Sequence, residues 1–79
     1  MAIYIAIEKI EESTTKAKYR FFLTEETVGE LVIEKAAGKV QVIKNLKGEL
    51  AERHTARVIH KVKKHWQAGT YPEKTCWAS

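Results

Sequence analysis

The sequence predicts an α+β fold: a four-stranded antiparallel β-meander with one C-terminal α-helix packed across one face (ββββα) and an extended aromatic tail. Four segments within the first 45 residues alternate apolar and polar side chains with a period of two, which is typical of half-buried strands. A later segment lacks Gly and Pro and repeats its apolar residues at helical spacing. The loops between the strands have about 4–6 residues, too few for a parallel crossover.

The first strand has the clearest alternation. Ile3, Ile5 and Ile7 face one way, and Tyr4 and Ala6 face the other. Polar or glycine-containing turns separate this strand from the next three. The four strands are predicted at residues 2–10, 16–24, 29–35 and 39–45.

The later strands alternate in the same way. Their inner face is expected to carry Ala17, Tyr19, Phe21, Leu23, Leu31, Ile33, Val40 and Val42. Gly38 supplies the positive φ that the short loop before the fourth strand needs. The opposite face is expected to carry Tyr4, Ala6, Phe22, Val32 and Ile43. This set is large for a face open to water, so we expect partial cover by the tail together with self-association.

The helix is predicted at residues 49–68. At about 100° per residue, a single sector of it collects the apolar side chains that would cover the sheet. These are Ala51, Thr55, Val58, Ile59, Val62 and Trp66. Gly69 suits the position just past the helix end, and Pro72 prevents the helix from resuming. The tail, residues 69–79, is expected to dock through Tyr71 and Trp77.

Length and charge limit the function classes. A chain of 79 residues has room for one core, so we expect a single domain over residues 1–79. Residues 47–79 hold seven Lys or Arg against three Glu, which accounts for the whole net charge of +4. One cysteine, Cys76, cannot form an intramolecular disulfide. Because no signal-peptide pattern and no apolar run of about 20 residues is present, we expect a cytoplasmic protein. We expect no membrane binding, because the apolar stripe of the helix is needed to cover the core.

The side of the helix opposite the apolar stripe is basic, and its residues are candidate nucleic-acid contacts. They are Arg53, Arg57, His60, Lys61 and Lys64. A row of cations can neutralise several phosphates. The alternative is an ordinary solvated helix face, because cations are favoured near a helix C-terminus. No RNA-recognition, KH or zinc-finger motif accompanies the row.

Metal binding and catalysis have weaker support in the sequence. The steps between His54, His60 and His65 turn a helix by about 240° and 140°, so neither consecutive pair shares a face. A zinc site needs ligands that converge, and Cys76 is not part of a Cys-x-x-Cys pair. The chain also lacks a nucleophile elbow and a Gly-rich phosphate loop. We therefore expect no catalytic residues, metal, cofactor or small-molecule ligand, and a protein that is not an enzyme.

Two stretches carry a resemblance to known proteins. The hairpin GELVIEKAAGKVQVIK and the closing stretch HWQAGTYPEKTCWAS resemble those of small bacterial ββββα domain proteins that have no assigned function. The resemblance implies the fold and a bacterial origin. It assigns no role to any residue.

Two functional hypotheses follow from the sequence. The first is a small non-enzymatic protein-interaction or self-associating module, which forms a homodimer or binds a protein partner through the outer sheet face. Its expected contacts are Tyr4, Phe22, Val32 and Ile43. The alternative is nucleic-acid binding through the basic side of the helix.

Overall fold

The computed structural model describes residues 4–24, 26–48 and 50–78. These residues form one antiparallel sheet and one helix. In chain order the elements are β1 (Tyr4–Glu12), β2 (Lys16–Phe22), β3 (Val28–Glu34), β4 (Val40–Lys44), α1 (Ala51–Gln67) and β5 (Lys74–Ala78). Residues 2 and 3 of the predicted first strand, Glu49 at the predicted helix start and Ser79 in the predicted tail lie outside the described residues.

The sheet has the strand order β4-β3-β2-β1-β5. The predicted α+β class and the antiparallel pairing of the first four strands are confirmed. The prediction of four strands and a separate tail was wrong, because Lys74–Ala78 forms a fifth strand beside β1. This strand is short and follows Pro72. Its partner, β1, lies about 70 residues away in the sequence, so local periodicity does not reveal the pairing.

The position of β5 also corrects the expectation that the tail covers the outer sheet face. β5 widens the sheet at its edge and does not lie over either face. Trp77 pairs with Ile5, so its side chain lies on the same face as that buried residue. Both Tyr71 and Trp77 pack against the core, as the sequence predicted.

The core lies between the sheet and α1, which connects β4 at one edge to β5 at the other. On the helix, Thr55, Val58 and Val62 are buried, and Ile59 and Trp66 pack against the core. The predicted apolar stripe is therefore confirmed. The sheet contributes fully buried side chains from three strands: Ile5, Ile7, Ala17, Phe21, Leu31 and Ile33.

The end of α1 is fixed by a Schellman motif. Gly69 has φ +75°, and its N–H donates to the Trp66 carbonyl at 2.9 Å. The N–H of Thr70 donates to the His65 carbonyl at 3.0 Å. These bonds satisfy carbonyls that have no partner within the helix, and they direct the chain towards β5.

Just before β5, a polar network joins the tail to β1, to β2 and to Lys35 after β3. The Glu12 carboxylate accepts hydrogen bonds from Lys35 and Lys9, and these bonds lower its pKa from 4.5 to about 2. Lys9 also donates to the Tyr71 carbonyl at 2.9 Å, and the Lys35 ammonium lies 4.7 Å from the centre of the Tyr71 ring. Tyr19 donates to the carbonyl oxygen of Pro72 at 3.3 Å, and burial raises the pKa of Tyr19 to about 12. The network holds the loop that leads into β5.

Candidate functional site

The five predicted nucleic-acid contacts lie along α1. Arg53, His60 and Lys64 are exposed, whereas Arg57 and Lys61 are half-buried at the margin of the helix. Arg53 and Lys64 are eleven positions apart, which is about 16 Å along the helix axis at 1.5 Å per residue. The structure thus brings the predicted residues onto one side of the helix. We call this set the basic face.

Among residues 4–24, 26–48 and 50–78, no acidic side chain forms an ion pair with the basic face. Residues 51–67 contain five Lys or Arg and one Glu, and the rest of the chain contains nine Lys or Arg and nine Glu. The three ion pairs found among the described residues are Lys9–Glu12, Lys18–Glu30 and Lys35–Glu12. None of them involves a cation of α1, so the positive potential of the molecule is concentrated on this helix.

His54 lies next to the basic face and is buried against the core side of α1. It is buried, with 8% of its surface exposed, and its Nδ1 lies 3.3 Å from Nη1 of Arg57. A guanidinium has only donors, so Nδ1 of His54 accepts this hydrogen bond. The contact holds one cation of the basic face in place. The contact between His54 and Arg57 could not be predicted from the sequence, because the helical wheel puts His54 only at the border of the buried sector.

His60 and its neighbours form a shallow depression on α1. Its volume is about 300 Å³, and His60, Lys63, Lys64 and Gln67 line it. The His60 ring meets the Trp77 ring edge to face, with 6.0 Å between the centroids. The set of contacts predicted from the sequence did not include Lys63 and Gln67. Their spacing from His60, at i+3 and i+7, places them on the same side of the helix.

His65 joins α1 to β5 and lies beside the basic face. Its Nε2 lies 3.2 Å from the Thr75 hydroxyl, and its Nδ1 lies 3.4 Å from the Thr70 hydroxyl. Burial lowers the pKa of His65, and the positive charges of Lys61 and Lys64 lower it further. Near neutral pH this side chain therefore adds little positive charge to the helix.

The four predicted protein contacts do not form one patch on the outer sheet face, which is the face away from α1. Tyr4 is 61% exposed and lies on the same face as Ala6, which pairs with Phe22. Val32 lies four residues from Val28 along β3, and Glu30 lies between them on the same face. Ile43 is 53% exposed and falls at an irregularity in the pairing of β4 with β3.

The strand register instead arranges the outer sheet face in rows. An apolar row crosses four strands and consists of Cys76, Ala6, Phe22 and Val28. A charged row crosses all five strands with alternating sign and consists of Lys74, Glu8, Arg20, Glu30 and Lys44. A third row consists of Glu11, Lys18, Val32 and Gln41. Directly opposed residues share a face of the sheet, so each row is a line of neighbours.

The remaining chemistry of the described residues is sparse. Within residues 4–24, 26–48 and 50–78, no three His, Cys, Asp or Glu side chains are grouped so that they could hold a metal ion. Cys76 is a half-buried free thiol in the apolar row. The helix described here is neither long nor apolar enough to cross a bilayer.

Comparison of the chain with models of protein families, with curated proteins and with solved structures finds no match.

Proposed function

We propose that the chain is a non-enzymatic binding module that binds nucleic acid through the basic face of α1. The observation that carries the proposal is the concentration of the net charge. In α1 the number of Lys and Arg exceeds the number of Glu by four, which equals the net charge of the whole chain. The cations of α1 take no part in the ion pairs among the described residues. Such a surface attracts a phosphate backbone and releases the counterions that surround it.

The spacing of the cations supports a linear ligand. Arg53, Arg57 and Lys61 follow at i, i+4 and i+8, so they form a ridge along the helix with steps of about 6 Å. Guanidinium groups bind phosphate oxygens through paired donors, which makes the two arginines the strongest expected contacts. The contact between His54 and Arg57 supports the proposal because it reduces the freedom that Arg57 would lose on binding.

The depression beside the ridge provides a second kind of contact. Lys63 and Lys64 offer ammonium groups, Gln67 offers an amide, and the His60 ring offers a flat surface. A base that leaves its stack can lie against such a ring, which favours single-stranded ligands. The proposed ligand is therefore a single strand whose phosphates follow the ridge, recognised without strong sequence preference.

The direct test is binding of labelled oligonucleotides measured by fluorescence anisotropy at low salt. We expect the parent chain to bind, and Arg53→Ala/Arg57→Ala to bind about tenfold more weakly, because two phosphate contacts are lost. The matched control is Lys16→Ala/Lys39→Ala, which removes two exposed cations that lie outside α1. Equal losses in the two double variants, or no binding by the parent chain, would contradict the proposal.

A further inference from the structure

We infer that the outer sheet face is the interface of a homodimer, in which two sheets pack face to face about a two-fold axis running along the strands between β1 and β2. The inference does not depend on phosphate binding by α1. It follows from the alternating signs of the charged row and from the composition of the two rows beside it.

The charged row restricts where the two-fold axis can lie. An axis that passes through a strand would place like charges together, for example Arg20 on Arg20 of the second copy. An axis between β1 and β2 places Glu8 on Arg20 of the second copy and Lys74 on Glu30 of the second copy. Because every contact occurs twice in a two-fold dimer, four opposite-charge contacts result.

The apolar row fits the same axis. The small Ala6 would face the large Phe22 of the second copy, and the small Cys76 would face Val28 of the second copy. Small side chains opposite large ones allow two sheets to interdigitate at a separation of about 10 Å. The apolar row would then be covered by the second copy. This would explain why the large apolar side chain of Phe22 lies on the face that α1 does not cover.

The third row distinguishes this axis from the other axis that pairs opposite charges with an overlap of four strands; axes nearer the sheet edges overlap only two strands. An axis between β2 and β3 would place the Lys18 ammonium on Val32 of the second copy and bury a charge against an apolar group. The axis between β1 and β2 places Glu11 on Lys18 of the second copy instead. Of these two axes, only the one between β1 and β2 faces Lys18 with an opposite charge.

The dimer is expected to be weak and to use the faces rather than the sheet edges. Four strands overlap in the apolar and charged rows, whereas only β1 and β2 overlap in the third row. Together these positions cover about 300 Å² of projected surface per copy, well below the roughly 800 Å² per partner of a standard interface. The edges are less suitable because β4 ends in Lys44 and contains the irregularity at Ile43, and β5 begins with Lys74. Short edge strands with lysines and irregular pairing resist edge-to-edge association.

A charge-reversal experiment on the full chain tests this geometry by sedimentation equilibrium up to millimolar concentration. We expect the parent chain to dimerise, and Glu8→Arg and Arg20→Glu each to raise the dimer Kd at least tenfold, because each brings like charges together twice. An equimolar mixture of the two variants should form a heterodimer, since Arg and Glu face each other again. Lys64→Glu, on the basic face, is the matched control and should leave the dimer Kd unchanged.

Several results would overturn the inference. A parent chain that stays monomeric, a variant that dimerises like the parent, or a mixture that stays monomeric would each exclude the proposed axis. Circular dichroism establishes that each variant is folded. If either is not, Lys74→Glu and Glu30→Lys form a second complementary pair at the margins of the interface, with the same expected outcomes.

Discussion

At the scale of single residues, the clearest constraint is the approach of Trp66 to Gly38. A Cβ at Gly38 would lie 2.7 Å from the Trp66 ring, and the indole N–H donates to the Lys35 carbonyl at 2.7 Å, so the ring has little freedom to move. Gly38 also has φ +69°. The sequence predicted the positive φ from the loop, but it could not predict the ring, which comes from a distant helix.

The Gly38→Ala variant is expected to lose about 1–3 kcal/mol of unfolding free energy, because strain and a clash with Trp66 combine. Gly69→Ala is the matched control, since Gly69 has a similar φ of +75° and open space around its Cβ position. Chemical denaturation measures both variants. Equal losses would mean that the contact between Trp66 and Gly38 has no energetic weight.

Glu12 makes a pH-dependent contribution to stability. Hydrogen bonds from Lys35 and Lys9 lower its pKa from 4.5 to about 2, so the folded state binds a proton less readily than the unfolded state. This stabilisation is complete above pH 4.5 and is lost as the pH falls towards 2. Glu12→Gln should therefore have a lower Tm than the parent near neutral pH, with the difference shrinking across that window.

Thermal unfolding followed at a series of pH values measures the effect of Glu12→Gln. Glu11→Gln is the control, because Glu11 takes no part in the ion pairs among the described residues. A constant difference in Tm between Glu12→Gln and the parent over the whole range would mean that ionisation of Glu12 does not stabilise the fold.

At the scale of the elements, the start of α1 is its least favourable part. The N-cap position is Leu50, which is 50% exposed and provides no side-chain acceptor for the first N–H groups. Leu50→Ser supplies a hydroxyl that can accept one of these hydrogen bonds. We expect a gain of about 0.5–1 kcal/mol in unfolding free energy, measured by denaturation with Leu50→Ala as the control for loss of the Leu side chain.

Local sequence patterns predicted α1 and four of the five described strands. Period-two alternation identified β1 to β4 and their inner residues, and helical periodicity identified the stripe that covers the sheet. The pairing of β5 with β1 depends on contacts between the two ends of the chain, which no local pattern records. Likewise, the alternating charged row exists only once the register of all five strands is known.

At the scale of the whole molecule, the two proposed surfaces lie on opposite sides. The basic face belongs to the side of the sheet that α1 covers, where His60 meets Trp77 of β5, and the apolar and charged rows occupy the opposite side. In the proposed dimer both helices would therefore remain on the outside, available to separate ligands. The sequence predicted both surfaces, and Tyr4, Phe22, Val32 and Ile43 stay a prediction for the sheet interface. The strand register adds that the charged row separates Val32 from Phe22.

The salt dependence of oligonucleotide binding tests the central claim most directly. If about four phosphates contact the basic face, log K should fall linearly with log salt with a slope of about −3. Arg53→Ala/Arg57→Ala should reduce the magnitude of this slope by about 1.4, and Lys16→Ala/Lys39→Ala should leave it unchanged. A slope that is the same in all three proteins would show that the helix does not hold the phosphates.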